Sequence, residues 1–352
     1  MTRASVPTRP CRSRCEGRDA GRAARRCVAS GAAYDPHAMR RPHLRLEPDA
    51  YRRITLVAAI LLGVIIVTGG AVRLTGSGLG CPDWPNCSPG HLTPRGVSNG
   101  HAMVEFVNRT FTGLVSLTVI ICVLGSLVRV PRRRDLLWLS VGLVAGVFAQ
   151  AVLGGLTVLF DLQPPFVMGH FLLSLVLLTN ALVLYRRAGQ PDASARLIVA
   201  PSVRTAGRAM VALAAVVVIA GTVVTSTGPH GGDRKAKRFD LPLPDVARVH
   251  GTSVVVFLGV VLLTLLLLRR TRAPVAVQQR LGIVLLVAVV QGIIGYVQYF
   301  NGIPELLVGF HIAGATAVWA SVVWFYLGLS SREEPAIAPA GERRSSAALM
   351  PT

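Results

Sequence analysis

Charge is scarce in this chain of 352 residues: Asp, Glu, Lys and Arg make up 15% of it, where a soluble domain carries roughly a quarter. With 52% hydrophobic residues and a mean hydropathy of +0.53, that deficit excludes an ordinary soluble domain. The first stretch, up to about residue 50, lacks an apolar core segment, which excludes a secretory signal peptide. It is rich in Arg and holds Cys11, Cys15 and Cys27. No second cysteine cluster follows Cys11 and Cys15, so a metal site there has no partner half. Residues 1–53 are expected as a basic, disordered tail. Those before Met39 read equally as sequence ahead of the native start, since RRPHLRLEPDAYRRITLV after it looks like a lead-in to a helix.

What the chain does have is long apolar runs, each near the roughly 20 residues that cross a bilayer as a helix. Spans are expected near 54–72, 102–128, 136–160, 166–185, 209–227, 246–268, 281–299 and 306–328. The net charge of +20 belongs to topology rather than to nucleic acid. If the eight spans alternate, 29 of the 37 basic residues lie on one side. The positive-inside rule then places both termini in the cytoplasm and the 73–100 and 228–245 loops outside.

The chain repeats itself. A constant shift of 141 superposes AQAVLGG from Ala149, with His170 beyond it, on VQGIIGY from Val290, with His311 beyond it. Gln150 meets Gln291, and Gly154 meets Gly295. GGAVRLTGSG from Gly69 echoes GTVVTSTG from Gly221, and VNRTFTG at Val107 lines up with VHGTSVV, setting Asn108 opposite His250. The fold expected is an all-α integral membrane protein of eight helices in two pseudo-symmetric four-helix bundles. Four spans per unit make the repeat parallel, unlike the inverted repeats of many transporters. The divisions expected are the tail 1–53, a first half 54–187, a linker 188–208, a second half 209–328 and a tail 329–352.

His170, His250 and His311 fall within apolar spans, where an ionisable group by default marks a site. His250 and His311 both sit a few residues in from the outer face. Two neutral imidazoles from facing helices of a four-helix bundle are the axial ligands of a six-coordinate haem. Zinc wants three or four protein ligands, and this half has no neighbouring Cys or carboxylate cluster. Gly251, Gly309 and Gly314 flank the two histidines and leave room for a flat macrocycle, or serve helix packing.

The first half has Asn108 where the second has His250. Its second span begins instead with His101 and carries Glu105, i and i+4 on one face. With His170 these define a pocket of one haem ligand, one carboxylate and an open position, suited to chemistry. The plainer reading pairs Glu105 with Arg109. In the loop GSGLGCPDWPNCSPG, Cys81 and Cys87 would form a disulfide in an oxidising compartment, either reducible or structural. The absence of CxxCH argues against either cysteine anchoring haem. Cys122 reads as helix packing.

These residues together resemble the haem A synthase family, the bacterial CtaA and mitochondrial Cox15 proteins. The carriers are GGAVRLTGSGLGCPDWPNC, EFVNR in the second span, the LGG before His170, and the repeat ending at His250 and His311. The similarity runs from about Ile54 to Gly328, and the EFVNR form is that of actinobacterial-type members. The resemblance implies haem b as cofactor on His250 and His311. It implies haem O as substrate in the first half, beside Glu105 and His170 with His101, Asn108 and Arg109 around it. The implied reaction oxidises a porphyrin methyl to a formyl by successive hydroxylations and loss of water, with Glu105 catalytic. Cys81–Cys87 would match the family's extracellular disulfide. Implied partners are haem O synthase, an electron donor and membrane lipid, with an oligomer compatible and nucleic acid excluded. The implied location is the plasma membrane.

Two features depart from the family pattern. The usual Glu-x-x-His of the second span ends here in Asn108, and His101 lies about 10 Å of helix away from that position. Either His170 alone ligates the substrate, or a helix shift brings His101 to it. The second outer loop, TGPHGGDRKAKRFDLP, has no Cys pair, and its His230, Arg234, Lys235 and Lys237 are candidates for haem propionates. A competing class is a b-type electron-transfer cytochrome, which leaves Glu105 and the cysteine loop unused. A third is a transporter with the histidines as proton relays, which binds no chromophore.

Overall fold

The computed structural model describes residues 45–94 and 100–332. The expected N-terminal tail up to residue 44 with its three cysteines, Arg95, and the C-terminal tail beyond 332 lie outside the described residues. Eight helices run in order: α1 (Pro48–Leu74), α2 (Gly100–Val128), α3 (Arg134–Leu159), α4 (Pro164–Ala188), α5 (Pro201–Thr227), α6 (Leu243–Arg270), α7 (Val275–Phe300) and α8 (Glu305–Leu327). All eight are long and apolar enough to cross a membrane, so the protein is an all-α, multi-pass membrane protein. Proline opens α1, α4 and α5, where the missing N–H had no helical partner to lose. Arginine pairs close α4 and α6, at the carbonyl ends that favour cations.

The boundaries differ from the hydropathy reading at three places. Helix α1 begins at Pro48, inside the segment expected as tail, and Tyr51 there is fully buried with its Oη 2.9 Å from Ser140 Oγ of α3. The expected linker 188–208 contains strand β1 (Arg196–Leu197) and the start of α5. The expected tail from 329 contains strand β2 (Ser330–Ser331), antiparallel to β1 with Arg196 opposite Ser331.

Helix α1 packs on α2 and α4, and α3 packs on the same two. In the second half α5 packs on α6 and α8, and α7 packs on the same two. Each set closes on its own apolar core: Leu62, Val119, Leu143 and Leu178 in one, Met210, Val261, Leu281 and Phe325 in the other. Large apolar side chains such as Trp138, Phe148 and Phe300 face outward, more than two-thirds exposed, as a lipid-facing surface requires. The turns after α3 and α7 are made alike. Leu162 N–H donates to Thr157 O at 2.8 Å and Ile303 N–H to Gln298 O at 2.8 Å, both pairs related by the shift of 141.

The halves meet through α1, α4, α5 and α8. Gly70 lets α1 approach α8, for a Cβ on it would stand 3.0 Å from Ile312. Trp319 of α8 donates its indole N–H to Thr179 Oγ1 of α4 at 2.9 Å. Arg73, at the end of α1, donates to Thr225 O at 2.9 Å and to His230 O at 2.6 Å, tying the first half to the loop between α5 and α6. Arg73→Met leaves both carbonyls without this donor and is expected to cost about 2–4 kcal/mol. A lowered thermal midpoint in detergent checks it; an unchanged midpoint refutes the tie.

Candidate functional site

Helices α6 and α8 both pack on α5 and α7, so they face each other across the second half. His250 and His311 meet there, their ring centroids 6.3 Å apart and their planes at 73°. His250 Nδ1 lies 3.1 Å from Val217 O. A carbonyl only accepts, so Nδ1 carries the proton and Nε2 keeps its lone pair for a metal. Gln291 of α7 donates to His311 O at 2.8 Å, holding the backbone beneath the second imidazole.

Two imidazoles on opposite sides of one metal, each about 2 Å from it as histidine–metal bonds are, have centroids roughly 6 Å apart. The observed separation fits that arrangement. Among the described residues no three His, Cys, Asp or Glu side chains gather as a metal site. The pair therefore suits a metal that brings its remaining ligands with it, as a porphyrin does. His311 Nδ1 and His170 Nδ1 are buried without a hydrogen-bond partner, so both rings retain unspent polar atoms.

In the first half, α2 and α4 face each other between α1 and α3. His170 of α4 is held as His311 is, with Gln150 of α3 donating to its carbonyl oxygen at 3.1 Å. Opposite the second-half pair the likeness ends. Asn108 of α2 takes a hydrogen bond from Thr68 Oγ1 of α1 at 2.9 Å. His101 is exposed at the N-terminal end of α2, its Nδ1 3.1 Å from Ser77 Oγ. The structure thus engages His101 with the loop between α1 and α2 and does not join it to His170.

Glu105 is 6% exposed and turned toward that same loop. Its Oε1 accepts from Arg109 Nη2 at 2.6 Å and Nε at 3.1 Å, and its Oε2 accepts from the Cys81 N–H at 2.7 Å. Arg109 also donates to Cys81 O at 3.0 Å and Asn86 O at 3.1 Å. Cys81 and Cys87 are joined as a disulfide and buried against Ala102. Glu105 and Arg109 are therefore a pair, as the plainer reading had it, and together they clamp the disulfide loop onto α2.

Some features escaped the sequence reading. Each imidazole rests on a glycine of the preceding helix: a Cβ at Gly154 would stand 3.1 Å from His170 Cε1, at Gly221 3.1 Å from His250 Cε1, and at Gly295 3.0 Å from His311 Cε1. The glycines flanking the histidines do less. Gly251 adjoins nothing within 4 Å, and Gly309 meets Leu74; Gly314 alone is tightly used, since a Cβ there would collide with the Gln291 side chain that holds the His311 carbonyl. In the loop between α5 and α6 His230 Nε2 lies 2.8 Å from Ile303 O, and Lys235 lines a cavity of about 290 Å³ beside Asp161 and Asp233.

The family described as COX15-CtaA, cytochrome oxidase assembly protein, matches residues 52–229. A protein named heme A synthase from Shewanella oneidensis is 31% identical over 188 residues, covering 49% of this chain and 53% of that protein. One of the same name from Lysinibacillus sphaericus is 31% identical over 142 residues, covering 40% and 45%. Another from Exiguobacterium sibiricum is 31% identical over 148 residues, covering 40% and 49%. The chain spans about half the length of the curated relatives it matches.

Proposed function

Because the chain belongs to the COX15-CtaA family of cytochrome oxidase assembly proteins, we propose that it is a haem A synthase. In this reading a methyl group of haem O is oxidised to a formyl by two successive two-electron hydroxylations and loss of water, the four electrons passing to an oxidant outside this chain. The observation that carries the reading is the His250–His311 pair, 6.3 Å between centroids across a four-helix ring. That pair holds haem b as the resident cofactor. When bound, haem b supplies one-electron redox chemistry. The first half, residues 54–187, takes haem O beside His170 and Asn108. The second half, 209–328, is its pseudo-symmetric partner. In this reading it sits in the plasma membrane, as the family resemblance implies, and the one-sided Arg distribution supports both termini lying in the cytoplasm.

The protein's own part is position and charge. His170 orients the substrate, with Gln150 fixing the backbone that carries it. Glu105 is engaged by Arg109 and the Cys81 amide, which suits it to a fixed negative charge at the border of the substrate pocket rather than to a mobile base. A charge held in place before reaction stabilises a developing positive centre without reorganisation. The disulfide loop, clamped by Arg109, closes the outer end of this pocket.

Expression beside a haem O synthase, in a host that otherwise accumulates haem O, tests the activity: haem A appears among the extracted pigments, and unaltered haem O overturns the reading. A second expectation concerns the glycine seats. In Gly295→Val the first added carbon alone stands 3.0 Å from His311 Cε1, closer than the ring can tolerate unmoved, and two methyls follow it. Most of the low-spin haem absorbance should be lost at unchanged expression; full retention would show that His311 is not a ligand.

A further inference from the structure

Among the described residues, four helix pairs offer a glycine seat for an imidazole, and three carry one. His170 sits on Gly154, His250 on Gly221 and His311 on Gly295. The fourth pair is α1 and α2. Gly69 aligns with Gly221 in the repeat, so the seat is there, yet a Cβ on Gly69 would meet nothing within 4 Å. The α2 residue aligned with His250 is Asn108, bonded sideways to Thr68. His101, engaged with Ser77, does not take its place.

Resting on the proposed function, we infer that the first-half site ligates haem through one protein side chain, His170, and that Asn108 is the residue that keeps it so. A carboxamide is a poor iron ligand beside an imidazole, so the face toward α2 lacks a strong protein ligand. The asymmetry has a use. A cofactor must stay, and two imidazoles hold it; a substrate must leave as product, and one imidazole lets it go. Asn108 thereby separates an exchangeable haem from a resident one.

Wild-type protein loaded with haem O should show one low-spin and one high-spin signal by electron paramagnetic resonance. When reduced, it should bind one carbon monoxide per two haems. His170→Ala should remove only the high-spin signal. Asn108→His, whose ring has the open space beside Gly69, should turn that signal low-spin. It should also slow haem transfer to apomyoglobin by on the order of tenfold or more. Two low-spin signals in the wild type, or no carbon monoxide binding, would overturn this inference alone. Failure of His170 to retain any supplied haem, with the second-half signal intact, would overturn the proposed function as well.

Discussion

Replacing His250 by alanine abolishes the low-spin haem spectrum of the protein. The expectation rests on the pair geometry: with one imidazole gone, only His311 would be left to hold the iron, and a spectrum that needs two imidazoles would be lost. His250 is only partly buried and its own hydrogen bond runs to Val217 O, so its loss leaves no buried charge and the fold should persist. Absorbance of the reduced protein, with size-exclusion behaviour as the control, reads the effect. Added imidazole should restore part of the spectrum by entering the space left beside Gly221. An unchanged spectrum in His250→Ala would remove the second-half site from the account.

Glu105→Gln is the other large effect: haem content stays as in the wild type while conversion of haem O falls by more than about a hundredfold. The amide can still accept from the Cys81 N–H, which keeps the disulfide loop seated. What it loses is the negative charge and with it the ion pair to Arg109. Pigment extraction and chromatography after a fixed growth period measure the ratio of haem A to haem O. Wild-type output from this variant would reduce Glu105 to a clamp for the loop and end its catalytic assignment.

Much of the fold was legible because a bilayer forces apolar runs into helices, and all eight expected spans match helices α1 to α8. The ends were less legible. Hydropathy falls at Arg52 and Arg53, yet α1 continues back to Pro48 because Tyr51 packs on Ser140 of α3, a contact no local pattern announces. Strand β1 was invisible for a similar reason: two residues at 196 pair with two at 330, far along the chain. In the site, the shift of 141 exposed His170, His311 and their glutamines. Two of the glycine seats, Gly154 and Gly295, lay in that same shift and the third, Gly221, in its echo of Gly69, but their use depends on which helix lies behind each ring. Glu105 and Arg109 were legible as an i,i+4 pair; that the carboxylate also takes the Cys81 amide depends on how the loop folds back. His101 looked available from its spacing, and the loop claims it through Ser77.

A haem A synthase must both hold haem and alter it. The most direct measurement is a pyridine haemochrome spectrum, with mass analysis of the pigment extracted from protein purified out of cells that make haem O. Haem B accompanied by haem O, haem A or a hydroxylated form between them is the result predicted. Haem B alone would contradict the synthase and leave an electron-transfer cytochrome. Protein free of any haem, from the same cells, would contradict both halves of the site.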